Sequence, residues 1–483
     1  VLSVLIGISI GIEKHKLLIV LFGGFGGLLL LFLSTSTLLI STLVLSVFVI
    51  GQLTYFAGIK QAIWIPYGLG LLFFLKLPDA YFRNKKNNTI TNNDSTISLW
   101  VVLFILTVIF SSILNAIPLM QFVVGSKNTL FLWSLFFLIA WGSLSPELIE
   151  GLWKKFSWLI LFQVPIVLYQ YLIIAPSRSN QGGSFGVSWD AVVDGFGGDP
   201  TAGGASGTLA YILVVGIIYF TALLRQDLIS KVMYFFWLTI ILLCIALAEV
   251  KVIVLLIPIG LAVLFSRSIL RNPIKSIVAS VLVVIVLFSI LGLYQYQKEQ
   301  LRGGSSLADA FNVEKVIDKS FGYSFDPNVI NYETREMGRI AAISHWWEET
   351  GFNTPLNTTF GYGIGASRSK SQFAIGQIAK KYPFNINRSA MSQLLWEVGL
   401  CGILVFIFII VKAVILSFKV SKLKGVSSSM QAASETTSAA LMMLLVMLPY
   451  GRDVLEVPAL TMFMMFLLGA TAHFSSTFRA VDK

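Results

Sequence analysis

The chain has 483 residues, of which 56% are hydrophobic and only 12% charged, with a mean hydropathy of +0.81. Soluble domains carry roughly 25% charged residues, so this composition excludes a water-soluble protein and implies a chain embedded in lipid. The net charge of +11 does not imply nucleic acid, because the basic residues lie in short turns between apolar runs and not on one face or tail. Cys244 and Cys401 both fall in apolar stretches and suggest neither a disulfide framework nor a metal ribbon.

The chain opens on Val1, and residues 1–12 read as the tail of a span, with further residues expected upstream. A helix needs about 20 apolar residues to cross the hydrocarbon core. Uncharged runs that approach this length occupy residues 17–33, 37–55, 62–75, 99–117, 130–144, 158–175, 204–224, 232–248, 252–266, 277–294, 394–418, 439–450 and 457–473. These predict an all-α polytopic membrane protein with about 12–14 transmembrane helices and one large, partly helical extracytoplasmic loop. Residues 1–294 form the expected N-terminal bundle, with a short outer loop at 176–203. Residues 295–391 form the large loop, and residues 392–483 the C-terminal helices.

Lys76, Arg83, Lys85 and Lys86, then Lys154 and Lys155, Arg225 and Lys231, Arg267, Arg271 and Lys275, and finally Lys412, Lys419, Lys422 and Lys424 occupy alternate turns. The positive-inside rule places that set in the cytoplasm and the large loop outside. Lys14 and Lys16 then fall outside, which suggests that the first two runs are one broken element. Within the loop, Ser306 to Asp309 reads as a capping box ahead of a helix over 311–321. Residues 332–347 show helical spacing of Met337, Ile340, Ser344 and Trp347, with Arg335, Arg339 and Trp346 on another face. The run FGYGIGASRSKS at 360–371 has no helix or strand period. It lacks the strand-before, helix-after context of a dinucleotide site and reads as a mobile or re-entrant hinge.

Charges at the outer ends of uncharged spans are the candidate functional residues, since ionisable groups near lipid are costly. Glu249 and Lys251 lie in one outer turn, Arg388 and Glu397 at the opening of a span, and Arg452, Asp453 and Glu456 in the last outer turn. Together with Arg178, Arg335, Arg339 and Arg368 they can line one cleft for an anionic, lipid-linked group, because guanidinium grips phosphate oxygens in a fork. Taken singly, each has a plainer reading as a snorkelling side chain or interfacial pair, and Glu397 can simply pair with Arg388. His345, one turn before Glu349, can act as a base oriented by a carboxylate or be a solvated loop histidine. Asp190, Asp194 and Asp199 sit among glycines and read as turn residues more readily than metal ligands.

Gly338 and Arg339 open a helical stretch with Trp346 and Trp347. Pro355 follows, then Phe360, Gly361, Gly363 and Gly365, then a span opening from Leu394 through Trp396, Glu397 and Gly399 to Gly402. In this order the segment resembles the C-terminal half of the O-antigen ligase and O-antigen polymerase superfamily of bacterial membrane glycosyltransferases. Lys251 looks like the counterpart of a basic residue that opens a mid-chain span in that family, and the glycine-rich stretch 182–207 resembles its third large outer segment. Nine positions before Glu397 the family has a His-Asn pair, whereas here Arg388 and Ser389 stand. A guanidinium cannot accept a proton at neutral pH, which favours polymerase over ligase.

The resemblance implies a glycosyltransferase of the bacterial inner (plasma) membrane that acts on its outer face. The donor would be an undecaprenyl-diphosphate-linked glycan and the acceptor a sugar hydroxyl, on another lipid-linked chain or elsewhere. No cofactor and no metal are expected, and the partners are lipids and glycans, with no nucleic acid. Lys251, Arg388 and Arg339 are expected to neutralise the departing diphosphate, and Glu249, His345 or Glu397 to take the hydroxyl proton. Arg178, Arg335, Arg368 and Arg452 are expected to hold substrate. A flippase or transporter for the same lipid is the alternative.

Overall fold

Lipid offers backbone groups no hydrogen-bond partners, so long apolar runs satisfy them internally as helices. The computed structural model describes residues 30, 32–86, 95–176, 192, 195–199, 203–248, 250–272, 274, 285, 289, 292, 322, 326–332, 335–369, 374–423 and 425–477. Among these, nine helices are long and apolar enough to cross a membrane. The chain is thus an all-α polytopic protein of membrane-spanning type. Most of the runs at 17–33 and 277–294, and all of the expected helix at 311–321, lie outside the described residues.

The first span joins α1 (Thr35–Val44), a π turn (Leu45–Val49) and α2 (Ile50–Tyr55); α3 (Ile65–Lys86) and α4 (Ser95–Leu114) follow. Next come α5 (Leu119–Thr129) and α6 (Trp133–Ala140), then α7 (Pro146–Lys154) and α8 (Phe156–Tyr169). The middle of the chain forms α9 (Ser206–Arg225), α10 (Lys231–Ala248), α11 (Ile253–Leu264) and α12 (Ser266–Arg271). After the two short helices α13 (Arg339–Glu349) and α14 (Pro355–Phe360) come α15 (Ala390–Val420), α16 (Ser428–Tyr450), α17 (Asp453–Glu456) and α18 (Pro458–Thr477). The strands among the described residues are two-residue pairs, Gly198–Asp199 with Gly203–Gly204 and Ile330–Asn331 with Glu336–Met337.

Several expected bounds change. The run at 130–144 yields only α6, bent by 43° from α5, so the pair is a broken span or a re-entrant loop. The run at 252–266 shrinks to the 12 residues of α11. The run at 439–450 starts eleven residues earlier, at Ser428. Its first turns were masked in sequence by Ser, Thr and Glu435, whose carboxylate is bonded by Arg225 Nη2 at 2.5 Å. In 332–347 the helix begins only at Arg339, and Glu336 belongs to a strand pair.

The last helices are the centre of the bundle. The apolar window of α18 is wholly buried and that of α16 72% buried, against 28% for α10. α15, α16 and α18 therefore pack among α4, α6, α9 and α11. Arg225 fixes the direction of this packing: it bonds Leu264 O at the C-terminus of α11 and Glu435 near the N-terminus of α16. The two helices are antiparallel, so Lys251, just before α11, stands at the same end of the bundle as Tyr450 and Gly451.

Candidate functional site

The site is built on a broken span. Gly399 in α15 has φ +64, a left-handed conformation that ends the regular hydrogen-bond ladder. Two carbonyls that the break deprives of helical partners are claimed from outside the helix. Tyr362 N donates to Trp396 O at 2.8 Å, and Gly363 N to Glu397 O at 3.0 Å. Ser111 of α4 completes the knot, donating to Glu397 O at 2.9 Å and accepting from Gly363 N at 3.0 Å. Asn115 donates to Gly361 O and Gln121 to Ile364 O. The FGYGIG run is thus a largely buried segment docked on the broken helix and on α4 and α5. Gly361 needs its glycine twice over: φ is +73, and a Cβ there would lie 2.5 Å from the Glu397 carbonyl carbon.

This segment delivers Ser367 and Arg368 to their places. Ser367 Oγ donates to Glu397 Oε1 at 2.8 Å, and Glu397 is wholly buried. Its Oε2 has no hydrogen-bond partner among the described residues. Arg368 Nη2 lies 3.5 Å from Glu456 Oε1, and Arg452 Nε lies 3.6 Å from Glu456 Oε2. Tyr67 of α3 donates its hydroxyl to the backbone carbonyl of Glu456 at 3.4 Å. Lys127 of α5 completes the group, its ammonium 4.7 Å from the Trp64 ring centroid and 5.3 Å from that of Tyr67. It is only 9% exposed and feels the charges of both Arg368 and Glu456. Asp453 closes the turn, accepting from Thr208 Oγ1 at 3.2 Å. Burial, more than the opposing Thr208 bond and Arg452 charge, holds its carboxyl above the usual carboxylate range.

A second corner adjoins the first through the backbone, where Ala390 N bonds Gly451 O at 2.9 Å. Arg388 grips Glu336 in a fork, Nη1 to Oε1 and Nη2 to Oε2 at 3.2 Å each, and its Nε donates to Met337 O. The expected pairing of Arg388 with Glu397 is therefore replaced: the helix start at Ala390 carries Arg388 outward to the strand pair while Glu397 points into the bundle. Arg339 sits 3.8 Å above the Tyr450 ring as a cation–π contact. Arg335, in a left-handed turn, accepts a backbone bond from Asn385, whose side chain bonds Ser369 next to Arg368.

His345 does not meet Glu349 as a base oriented by a carboxylate. Glu349 instead accepts from Tyr382 at 2.8 Å. The imidazole packs edge-on to Tyr382 and Phe384 and near Trp396. Burial outweighs the nearby Glu349 and Glu348 charges and holds it below the ordinary histidine range. Arg178, Glu249, Asp190 and Asp194 lie outside the described residues, as does the side chain of Asp199.

The structure thus gathers Arg335, Arg339, Arg368, Arg388 and Arg452 around residues 385–390 and 450–456, with Lys251 at the same end. Sequence reading missed Lys127, because residues 119–129 (LMQFVVGSKNT) are too polar to register as membrane-embedded. A lysine flanked by Ser126 and Asn128 beside an apolar run was the available signal. The opposite end carries Lys154, Arg225, Arg267 and Lys422, paired with Glu150 and Glu435 or laid on Phe418. No family model matches the chain, and no curated protein matches it.

Proposed function

We propose that the chain is a membrane glycosyltransferase that takes a polyprenyl-diphosphate-linked glycan as donor and a sugar hydroxyl as acceptor. The carrying observation is the cation group at one end of an apolar bundle: Arg368 and Arg452 share Glu456, with Lys127 buried beneath and Arg388 and Arg339 at the adjoining corner. A ligand with an anionic head and an apolar tail matches that division of charge and grease. Cations held rigidly by a protein framework stabilise a departing diphosphate without the reorganisation water would require. The hydroxyl proton on this reading goes to Glu397, His345 or Glu249, and the Ser367 bond to Glu397 together with its closeness to Arg368 supports Glu397. On this reading the cation end faces outward across a bacterial inner membrane, and the basic turns of the other end face the cytoplasm.

One observation favours transport of the same lipid as the second reading. The glycine segment packs on the break at Gly399 and on α5, the first half of the bent pair α5–α6, as discontinuous helices line transporter sites. The test separates the two. Purified protein is incubated with undecaprenyl-diphosphate oligosaccharide and product length is followed; proteoliposomes with the same labelled lipid report transbilayer movement. Longer lipid-linked chains support a polymerase, and transfer to another acceptor a ligase. Movement without transfer supports the transporter and overturns the enzyme.

A further inference from the structure

Away from the cation group, on the side of Lys154 and Lys155, an apolar cavity of about 240 Å³ opens between three parts of the bundle. The first is α1, which passes into the π turn over Leu45–Val49 and so lifts Val47 and Phe48 off the regular helical register. The second is the joint at Lys155, where α7 ends and α8 begins. The third is α18, whose Phe463 and Phe466 form the floor with Trp153 in mutual ring contact. Of the side chains that line the space, Lys155 alone is charged and the rest are apolar.

Such a hole is not a water site. Water needs polar partners, and apolar cavities of this size stay dry and take up apolar guests. Its rim residues Val44 and Trp158 are 45% and 67% exposed on the lateral face of the bundle, so the guest enters from hydrocarbon. The segment around Lys155 sets the guest's orientation. In α7, Ile149 and Trp153 point inward while Glu147 and the Glu150–Lys154 pair lie on the polar side. Lys155 is exposed at the joint where α7 passes into α8, and its long side chain can carry the ammonium from the cavity mouth toward the headgroups.

We infer that this cavity holds one acyl chain of an anionic bilayer phospholipid, with the lipid phosphate paired to Lys155. The apolar walls select a hydrocarbon chain, and the single cation at the mouth selects a negative headgroup. The site is separate from the cation group of Arg368 and Arg452 and does not depend on the reaction assigned there.

Native mass spectrometry of the full chain in detergent, titrated with phosphatidylglycerol or phosphatidylcholine of identical chains, tests this. Wild type is expected to retain one phosphatidylglycerol in preference to phosphatidylcholine. Lys155→Gln, on an exposed side chain, is expected to lower phosphatidylglycerol affinity about fivefold, the worth of one basic residue at a lipid surface, and to erase the preference. Val47→Trp, which fills the cavity, is expected to abolish the retained lipid for both headgroups while the protein stays monodisperse. Should Val47→Trp aggregate, the smaller Val44→Phe at the rim serves the same purpose. Equal affinity for the two headgroups in wild type, or retention unchanged in both filling variants, overturns the proposal. So does displacement of the bound lipid by farnesyl diphosphate at concentrations where phosphatidylglycerol does not compete, which would identify a prenyl occupant.

Discussion

Lys127 and Arg368 carry the sharpest residue-scale expectations. Both are cations held at low exposure next to one shared carboxylate, and in such surroundings a charge contributes far more than in water. If they stabilise the leaving diphosphate, Lys127→Gln and Arg368→Gln should each lower the turnover of lipid-linked oligosaccharide by about 10²–10³-fold, the usual effect of removing one transition-state donor. Arg388→Gln should differ, since its fork is occupied by Glu336, and should lower thermal stability together with activity. Equal, purely catalytic losses in all three variants, with stability untouched, would contradict this division of labour. His345 gives a pH signature. Its folded-state affinity for protons is depressed by burial, while the unfolded chain titrates near about 6.5. Below that value the unfolded state binds more protons, so stability conferred by the neutral imidazole is present above pH about 6.5 and is lost as pH falls toward the lower folded value. Thermal unfolding at pH 5 and pH 7.5 should show a smaller difference in His345→Phe than in wild type.

At the scale of elements, the broken span of α15 and the glycine segment form one unit. A Cβ on Gly399 would lie 2.5 Å from Thr359 O, and one on Gly361 2.5 Å from the Glu397 carbonyl carbon, both at positive φ. Backbone strain of about 1–3 kcal/mol then adds to a clash with main chain that cannot rotate away. Gly399→Ala is therefore expected to cost at least about 2 kcal/mol and to lower the melting temperature in detergent more than Gly425→Ala, although Gly425 also has positive φ, because the latter sits in open space. Similar melting of the two variants would mean that the interlock is not what holds the span. Ser111→Ala removes one donor to Glu397 O and one acceptor for Gly363 N, and should cost about 1–3 kcal/mol. Of this unit the glycines and the Trp-Glu-Val-Gly opening were visible in sequence as an ordered pattern. The docking of one on the other was not, because a backbone-to-backbone bond leaves no trace in side-chain type.

For the whole molecule, Arg225 and Glu435 join the C-terminal ends of the parallel helices α9 and α11 to the first turns of α16, which runs antiparallel to both. Arg225 bonds both Leu264 O and Glu435, at 2.7 and 2.5 Å. Removing one partner strands a charge in a largely apolar setting, whereas replacing both with apolar groups does not. Glu435→Met alone is expected to lower stability by about 1–3 kcal/mol, and Arg225→Met with Glu435→Met to recover part of that loss. A double variant no more stable than the single would show that the pair is not coupled. The alternation of basic turns foretold which residues share this end. It could not foretell that Glu435 belongs inside a span, since a carboxylate counts against membrane embedding until its partner is known.

The sequence alone settled that this is a helical membrane chain, because the demand of lipid for apolar side chains and internally bonded backbone is written into every run of residues. It also marked Arg339, Arg368, Arg388, Glu397 and Arg452 as costly charges beside lipid. Tertiary structure decided their partners. Arg388 went to Glu336, Arg368 and Arg452 to one Glu456, and Lys127 joined them from a segment that looked like a polar turn. Those choices depend on which helices break and where the broken ends are bonded, and that is fixed by contacts such as Tyr362 with Trp396, 34 positions apart, and Ser111 with Glu397, 286 apart.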